Sequence, residues 1–98
     1  MSIEDSTVTD NLNNISIYPN PVSTQLSILI DSDENSGENA VIEIDIYNLL
    51  GELISKEKKE IIYGQTVKKD VTYLSPGLYF ITIINQEVRF TQRILIQR

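Results

Sequence analysis

The side chains with the most evident chemistry are carboxylates. The stretch "DSDENSG" sets Asp31, Asp33 and Asn35 at alternate positions, the spacing with which a calcium loop begins. The pattern then breaks, because Ser36 stands where the sharp-turn glycine belongs and Gly37 comes one place late. The twelfth position is Ile42, where a bidentate glutamate is required. A solvated hairpin loop is the expectation. A second pair, Glu43 and Asp45 in "VIEIDIY", shares one face of an alternating segment and reads as exposed and solvated.

Histidine and cysteine are both absent. Their absence removes the commonest general base, the thiol nucleophile, the usual transition-metal ligands and any disulfide. No glycine-rich phosphate loop occurs either. The residues point away from catalysis, and no cofactor, metal or small-molecule substrate is expected.

The cations are distributed unevenly. Residues 1–55 carry ten acidic side chains and no Lys or Arg, whereas residues 56–98 carry eight basic and four acidic ones, within a net charge of −6. Solvated strand faces are one reading of this asymmetry. A basic C-terminal strip that steers docking onto an acidic partner is the other. Basic residues are few and do not interleave with aromatics, so nucleic acid is not expected as a partner.

These groups must be positioned by a chain of 98 residues, the size of one domain with one core. Residues 1–14 are polar, show no period and read as a flexible leader, with the folded unit spanning 15–98. No basic segment followed by an apolar one opens the chain, so no signal peptide is read there. No apolar run is long enough to span a bilayer.

From Ile15 onward the period is two. "QLSILI" puts Leu26, Ile28 and Ile30 on one side, and "VIEIDIY" does the same for Ile42, Ile44 and Ile46. "GELISKEKKE" turns from apolar to charged, as edge strands do to discourage pairing. "QTVKKDV" is a weaker strand, and "GLYFITII" and "EVRFTQRILIQR" close the chain. Turn signals separate them, so the fold class is all-β: an immunoglobulin-like antiparallel β-sandwich of about seven strands.

Two corners stand out. In "ISIYPNPV", Pro19 and Pro21 end the first strand, and Tyr18 and Asn20, each before a proline, are held extended. In "LSPGLY", Pro76-Gly77 suits a type II turn, and the Tyr79 hydroxyl can return to nearby backbone as a tyrosine corner. A two-residue loop at Asn85-Gln86 pairs Ile83 with Val88 and Ile81 with Phe90, pointing inward and leaving Leu78, Phe80 and Ile84 outside. A three-residue loop reverses the faces. Either register gives an apolar outer stripe near arginines, read as a docking surface or as a face covered by a neighbouring segment.

The ordered series of corners resembles the C-terminal sorting domain (type A) of proteins exported by the type IX secretion system of Bacteroidota. The resemblance rests on "IYPNPVSTQLSI", "IEIDIYNLLGELI", "LSPGLYFITI" and "TQRILIQR", covering residues 15–98. The matching motif positions are Tyr18, Pro19, Asn20 and Pro21, then Ile44, Ile46, Tyr47 and Gly51, then Leu74, Gly77 and Tyr79, then Arg93 to Ile96 and Arg98. Arg93 stands where the family more often has lysine.

The resemblance implies a delivery label at the end of a cargo protein, passing through the periplasm to the cell surface or beyond. Outer-membrane shuttle or translocon components would recognise it. A cysteine-protease sortase would commonly remove it, cutting in or before the leader and in some cases joining cargo to lipopolysaccharide. An ending at Arg98 is expected of such a label. Recognition is expected through Leu78, Phe80, Ile84, Arg89, Arg93, Ile94, Leu95, Ile96 and Arg98, including strand addition along the backbone edge of residues 93–98. Weak homodimerisation through the apolar stripe is a further expectation. The competing class is an immunoglobulin-like carbohydrate-binding or spacer module, for which seven aromatics without tryptophan are a poor supply.

Overall fold

The computed structural model describes residues 14–32 and 35–98. The leader expected over residues 1–14 therefore lies almost wholly outside the described residues, as does Asp33. Seven strands form: β1 (Ile15–Tyr18), β2 (Gln25–Ile30), β3 (Asn39–Tyr47), β4 (Leu53–Ile62), β5 (Thr66–Asp70), β6 (Gly77–Asn85) and β7 (Val88–Ile96). All strand pairs are antiparallel, in a three-stranded sheet ordered β1-β2-β5 and a four-stranded sheet ordered β4-β3-β6-β7. The order differs from a constant-type immunoglobulin sandwich only in β4, which pairs with β3 instead of β5.

Isoleucine drives the assembly. β-Branched side chains at every second position suit a pleated surface and commit one face to burial. Leu26, Ile28 and Ile30 of the small sheet meet Ile42, Ile44, Ile46, Ile81, Ile83, Ile94 and Ile96 of the large one, all buried. Val22, Val71 and Leu74 close the core from the connecting loops. Each fully buried side chain of this size contributes about 1.5–3 kcal/mol, so the core alone explains why these faces turn inward.

A sandwich has two open sides, and each is stitched differently. Between β1 and β7, Gln92 Nε2 donates to the Ile17 carbonyl at 3.4 Å. Between β4 and β5, Lys69 Nζ donates to Glu57 Oε1 at 2.8 Å, and Lys69 also stands 5.5 Å from the Tyr73 ring centroid. Glu57 and Lys69 lie on the inner faces because Glu57 pairs with Ile44 and Lys69 with Leu26. Two inward charges thus meet at the side where β4 and β5 are the sheet edges.

Three expectations need correction. The β6–β7 loop is Gln86-Glu87, with Gln86 at φ 59°, so Ile83 pairs with Phe90 and Ile81 with Gln92. A slip of two residues preserves side-chain parity, and Ile81 and Ile83 still point inward. Gly77 has φ 147°, far from the type II value. The Ser75 carbonyl that would close that turn accepts the Tyr79 hydroxyl instead, at 2.7 Å. Asp45 is not solvated but only 2% exposed.

Candidate recognition surface

The outer face of the large sheet carries the side chains singled out for recognition. Register places them in rows across the four strands. Leu53, Tyr47, Phe80 and Arg93 form one row; Lys56, Asp45, Thr82 and Thr91 the next; Lys58, Glu43, Ile84 and Arg89 the third. Leu78 pairs with Leu95 beyond the first row.

The apolar stripe is therefore not continuous. Leu78, exposed, and Phe80 and Leu95, half-buried, gather at one end with Tyr47 and Leu53. Ile84 is half-buried at the other end, between Glu43 and Arg89. Thr82 separates them, buried and 3.0 Å from Thr91 through their hydroxyl oxygens. Arg89 and Arg93 are exposed and enter no ion pair among the described residues.

Ile94 and Ile96 occupy the core, so their side chains offer nothing to a partner. Arg98 is committed as well: Nη1 donates to the Leu74 carbonyl at 2.5 Å and Nη2 to the Val71 carbonyl at 2.7 Å. Its guanidinium fork holds the end of the chain onto the loop between β5 and β6.

The proline corner reaches the same strand. Asn20 Nδ2 donates to the Arg93 carbonyl at 2.9 Å, and Asn20 Oδ1 accepts from Leu95 N at 3.0 Å. Val22 N donates to the Leu95 carbonyl at 2.8 Å, and Gln97 N to the Val22 carbonyl at 2.9 Å. The Arg93 carbonyl, the Leu95 amide and carbonyl and the Gln97 amide, all on the open side of β7, are thus taken by the chain's own corner. This corrects the expectation of strand addition along that edge, since a guest strand finds those donors and acceptors already paired.

The middle row concentrates electrostatic tension. Lys56 Nζ donates to Glu43 Oε2 at 2.5 Å and stands 3.8 Å from Asp45 Oδ2. The Lys56 hydrogen bond holds the Glu43 carboxyl below its ordinary pKa, and the same bond raises that of Lys56. Burial, aided by the adjacent Glu43, pushes Asp45 up, and its Oδ1 has no hydrogen-bond partner. Alternation places Asp45 opposite the core but says nothing of how deeply neighbouring side chains cover it.

The calcium-like stretch is engaged locally. Asp31 Oδ1 accepts the Ser32 amide at 2.9 Å, and Ser32 Oγ accepts the Asn35 amide at 3.2 Å. Sequence reading marks "NLLGE" as a turn signal and Gly51 as a motif position, but gives the turn no part in recognition. There, Asn48 Oδ1 accepts from Leu50 N at 2.9 Å and from Glu52 N at 3.0 Å, while Gly51 at φ 85° donates to the Asn48 carbonyl. Adjacent leucines in a turn, where polar residues are usual, were the available signal.

Two antiparallel sheets with a tyrosine corner at the β5–β6 connection define an immunoglobulin-like β-sandwich module. The family model described as "Secretion system C-terminal sorting domain" matches residues 16–97, and the chain belongs to that family. No curated protein matches. Among solved structures, dimeric latent PorU from Porphyromonas gingivalis is similar with a TM-score of 0.57 at 15% identity. The likeness covers 84% of this chain and 9% of that one, so the chain spans under a tenth of PorU's length. At this identity the likeness is one of fold.

Proposed function

We propose that this domain is the address by which an attached cargo crosses the outer membrane, read by a type IX secretion component on the outer face of the large sheet. Membership of the sorting-domain family supports the role, with a route through the periplasm to the surface or the medium. One observation carries the location of the reading surface. Arg93 is exposed, stands in register with Phe80 and Tyr47, and is fixed from behind by Asn20 on its own carbonyl. A cation on a braced backbone beside an apolar cluster is a preorganised contact. Reading is by side chains, with Leu78, Phe80, Arg93 and Leu95 at one end and Ile84 with Arg89 at the other. A sortase then releases the cargo by cutting before Ile15.

Residues 1–98 fused behind an inert periplasmic reporter, in a bacterium with this secretion system, test the role. The wild-type fusion reaches the surface, and Arg93→Glu leaves it in the periplasm while the purified domain keeps its thermal midpoint. Surface delivery of Arg93→Glu at wild-type level would refute the assignment of the face. Truncating the last six residues is a poor substitute, because it removes Ile94 and Ile96 from the core.

A further inference from the structure

The β3–β4 hairpin ends in an apolar tip that the core does not use. Leu49 is 61% exposed, Leu50 83%, Leu53 49% and Ile54 44%. Hydrogen bonds centred on Asn48 brace the tip. The Asn48 side chain accepts from Leu50 N and Glu52 N and donates to Glu52 Oε1 at 2.7 Å. The Asn48 amide and carbonyl pair in turn with the Glu52 carbonyl and the Gly51 amide, each at 3.0 Å. Immediately after the turn, Ile46 pairs with Ser55 and Tyr47 with Leu53, leaving Ile54 as the extra residue of a β-bulge. A bulge re-aims side chains and is a common device beside functional sites. Leu53 lies in the row of Tyr47 and Phe80, so the tip continues the apolar end of the outer face.

We propose that this Asn48-braced tip is a second recognition element, inserting Leu49 and Leu50 into an apolar groove with a basic rim on a protein partner of the secretion machinery. The inference rests on the sorting role proposed above. Three occupants compete for such a tip, and the chain's own features choose among them. The exposed aliphatic surface is on the order of 400 Å², about half of what one partner contributes to a stable dimer. A second copy would bring only the same area, and two convex tips have no groove to offer each other. An anionic lipid surface requires cations around the inserting side chains. Here the charge within the turn is Glu52, no Lys or Arg occurs before residue 56, and Lys56 is held by Glu43. A protein groove satisfies both constraints: its walls supply the missing area, and a basic rim pairs with Glu52.

The reporter fusion with Leu49→Ser/Leu50→Ser tests this, beside Tyr73→Ser, which removes an exposed apolar side chain outside the reading face, between β5 and β6. The tip variant should lower surface-delivered reporter at least tenfold and accumulate it in the periplasm, while Tyr73→Ser delivers normally. The purified tip variant should keep the wild-type thermal midpoint. Undiminished delivery of the tip variant would overturn the tip alone. Failure of the wild-type fusion to leave the periplasm would remove the sorting role and the tip with it. Two other findings would also overturn the protein groove: tip-dependent dimerisation in sedimentation, or tip-dependent flotation with phosphatidylethanolamine–phosphatidylglycerol vesicles.

Discussion

The Asn20 side chain donates to the Arg93 carbonyl at 2.9 Å across 73 positions of sequence. With the Leu95 amide on its other atom, it ties the start of the folded unit to the last strand. The proline corner and the strand proposed for reading are therefore one mechanical unit.

Asn20→Ala removes both bonds and exposes the β7 edge. It should cost about 2 kcal/mol, at roughly 1 kcal/mol per hydrogen bond, measured by urea unfolding. Hydrogen exchange gives the sharper check. The Leu95 amide loses protection, whereas that of Ile94, on the ladder to β6, keeps it. Equal protection of Leu95 in both proteins would show that the clasp does not form.

Glu57 and Lys69 form the pair that joins β4 to β5. The Lys69 hydrogen bond lowers the Glu57 pKa below its model-compound value of 4.5. A lowered acid stabilises the fold above its unfolded pKa, and that contribution is lost as pH falls through the folded one. Glu57→Gln should therefore flatten the acid limb of the stability profile below about pH 4.5. It also strands a buried ammonium, at a cost of about 2 kcal/mol, moderated because Glu57 is partly exposed. Lys69→Met with Glu57→Gln should recover most of that loss.

Asp45 titrates in the opposite sense. Its pKa is raised above 3.8, chiefly by burial, so its contribution is fully present below that value and falls as pH rises through the raised one. Asp45→Asn should stabilise the domain at pH 7 by on the order of 1 kcal/mol, because a neutral amide tolerates burial beside Glu43 better than a second carboxylate. The gain should vanish well below pH 4. A loss of stability at pH 7 would mean that Lys56 neutralises Asp45 in the wild-type protein.

Tyr79→Phe deletes the hydroxyl that donates to the Ser75 carbonyl and leaves the ring in place. The expected loss is about 1 kcal/mol in thermal or urea unfolding, with Gly77 and Leu78 amides exchanging faster. An unchanged midpoint would show that solvent replaces the tyrosine at that carbonyl.

Much of the architecture was legible because strand side chains alternate with a period of two. Leu26, Ile28 and Ile30, and likewise Ile42, Ile44 and Ile46, were each set on one face and are buried; Ile81 and Ile83 are buried as the two-residue loop required, with the three-residue alternative excluded. The charged β4 was read as an edge and is one. The Tyr79 hydroxyl was expected to return to nearby backbone, and it does. The candidate surface was less legible. Ile94 and Ile96 were offered as contacts and belong to the core, while the exposed tip at Leu49 and Leu50 drew no attention. Alternation was weakest in those two places, in a strand apolar on both faces and in a turn.

Parity along the chain sorted the side chains into two faces, since every other Cβ in a strand points the same way. It could not choose between registers two residues apart, because both keep every face intact. Tertiary packing settled that choice. Packing also decided which outward groups meet water: Asp45 and Thr82 are outward yet covered. The edge of β7 was likewise decided in three dimensions, where the Asn20 amide reaches backbone groups that no local pattern could assign to it.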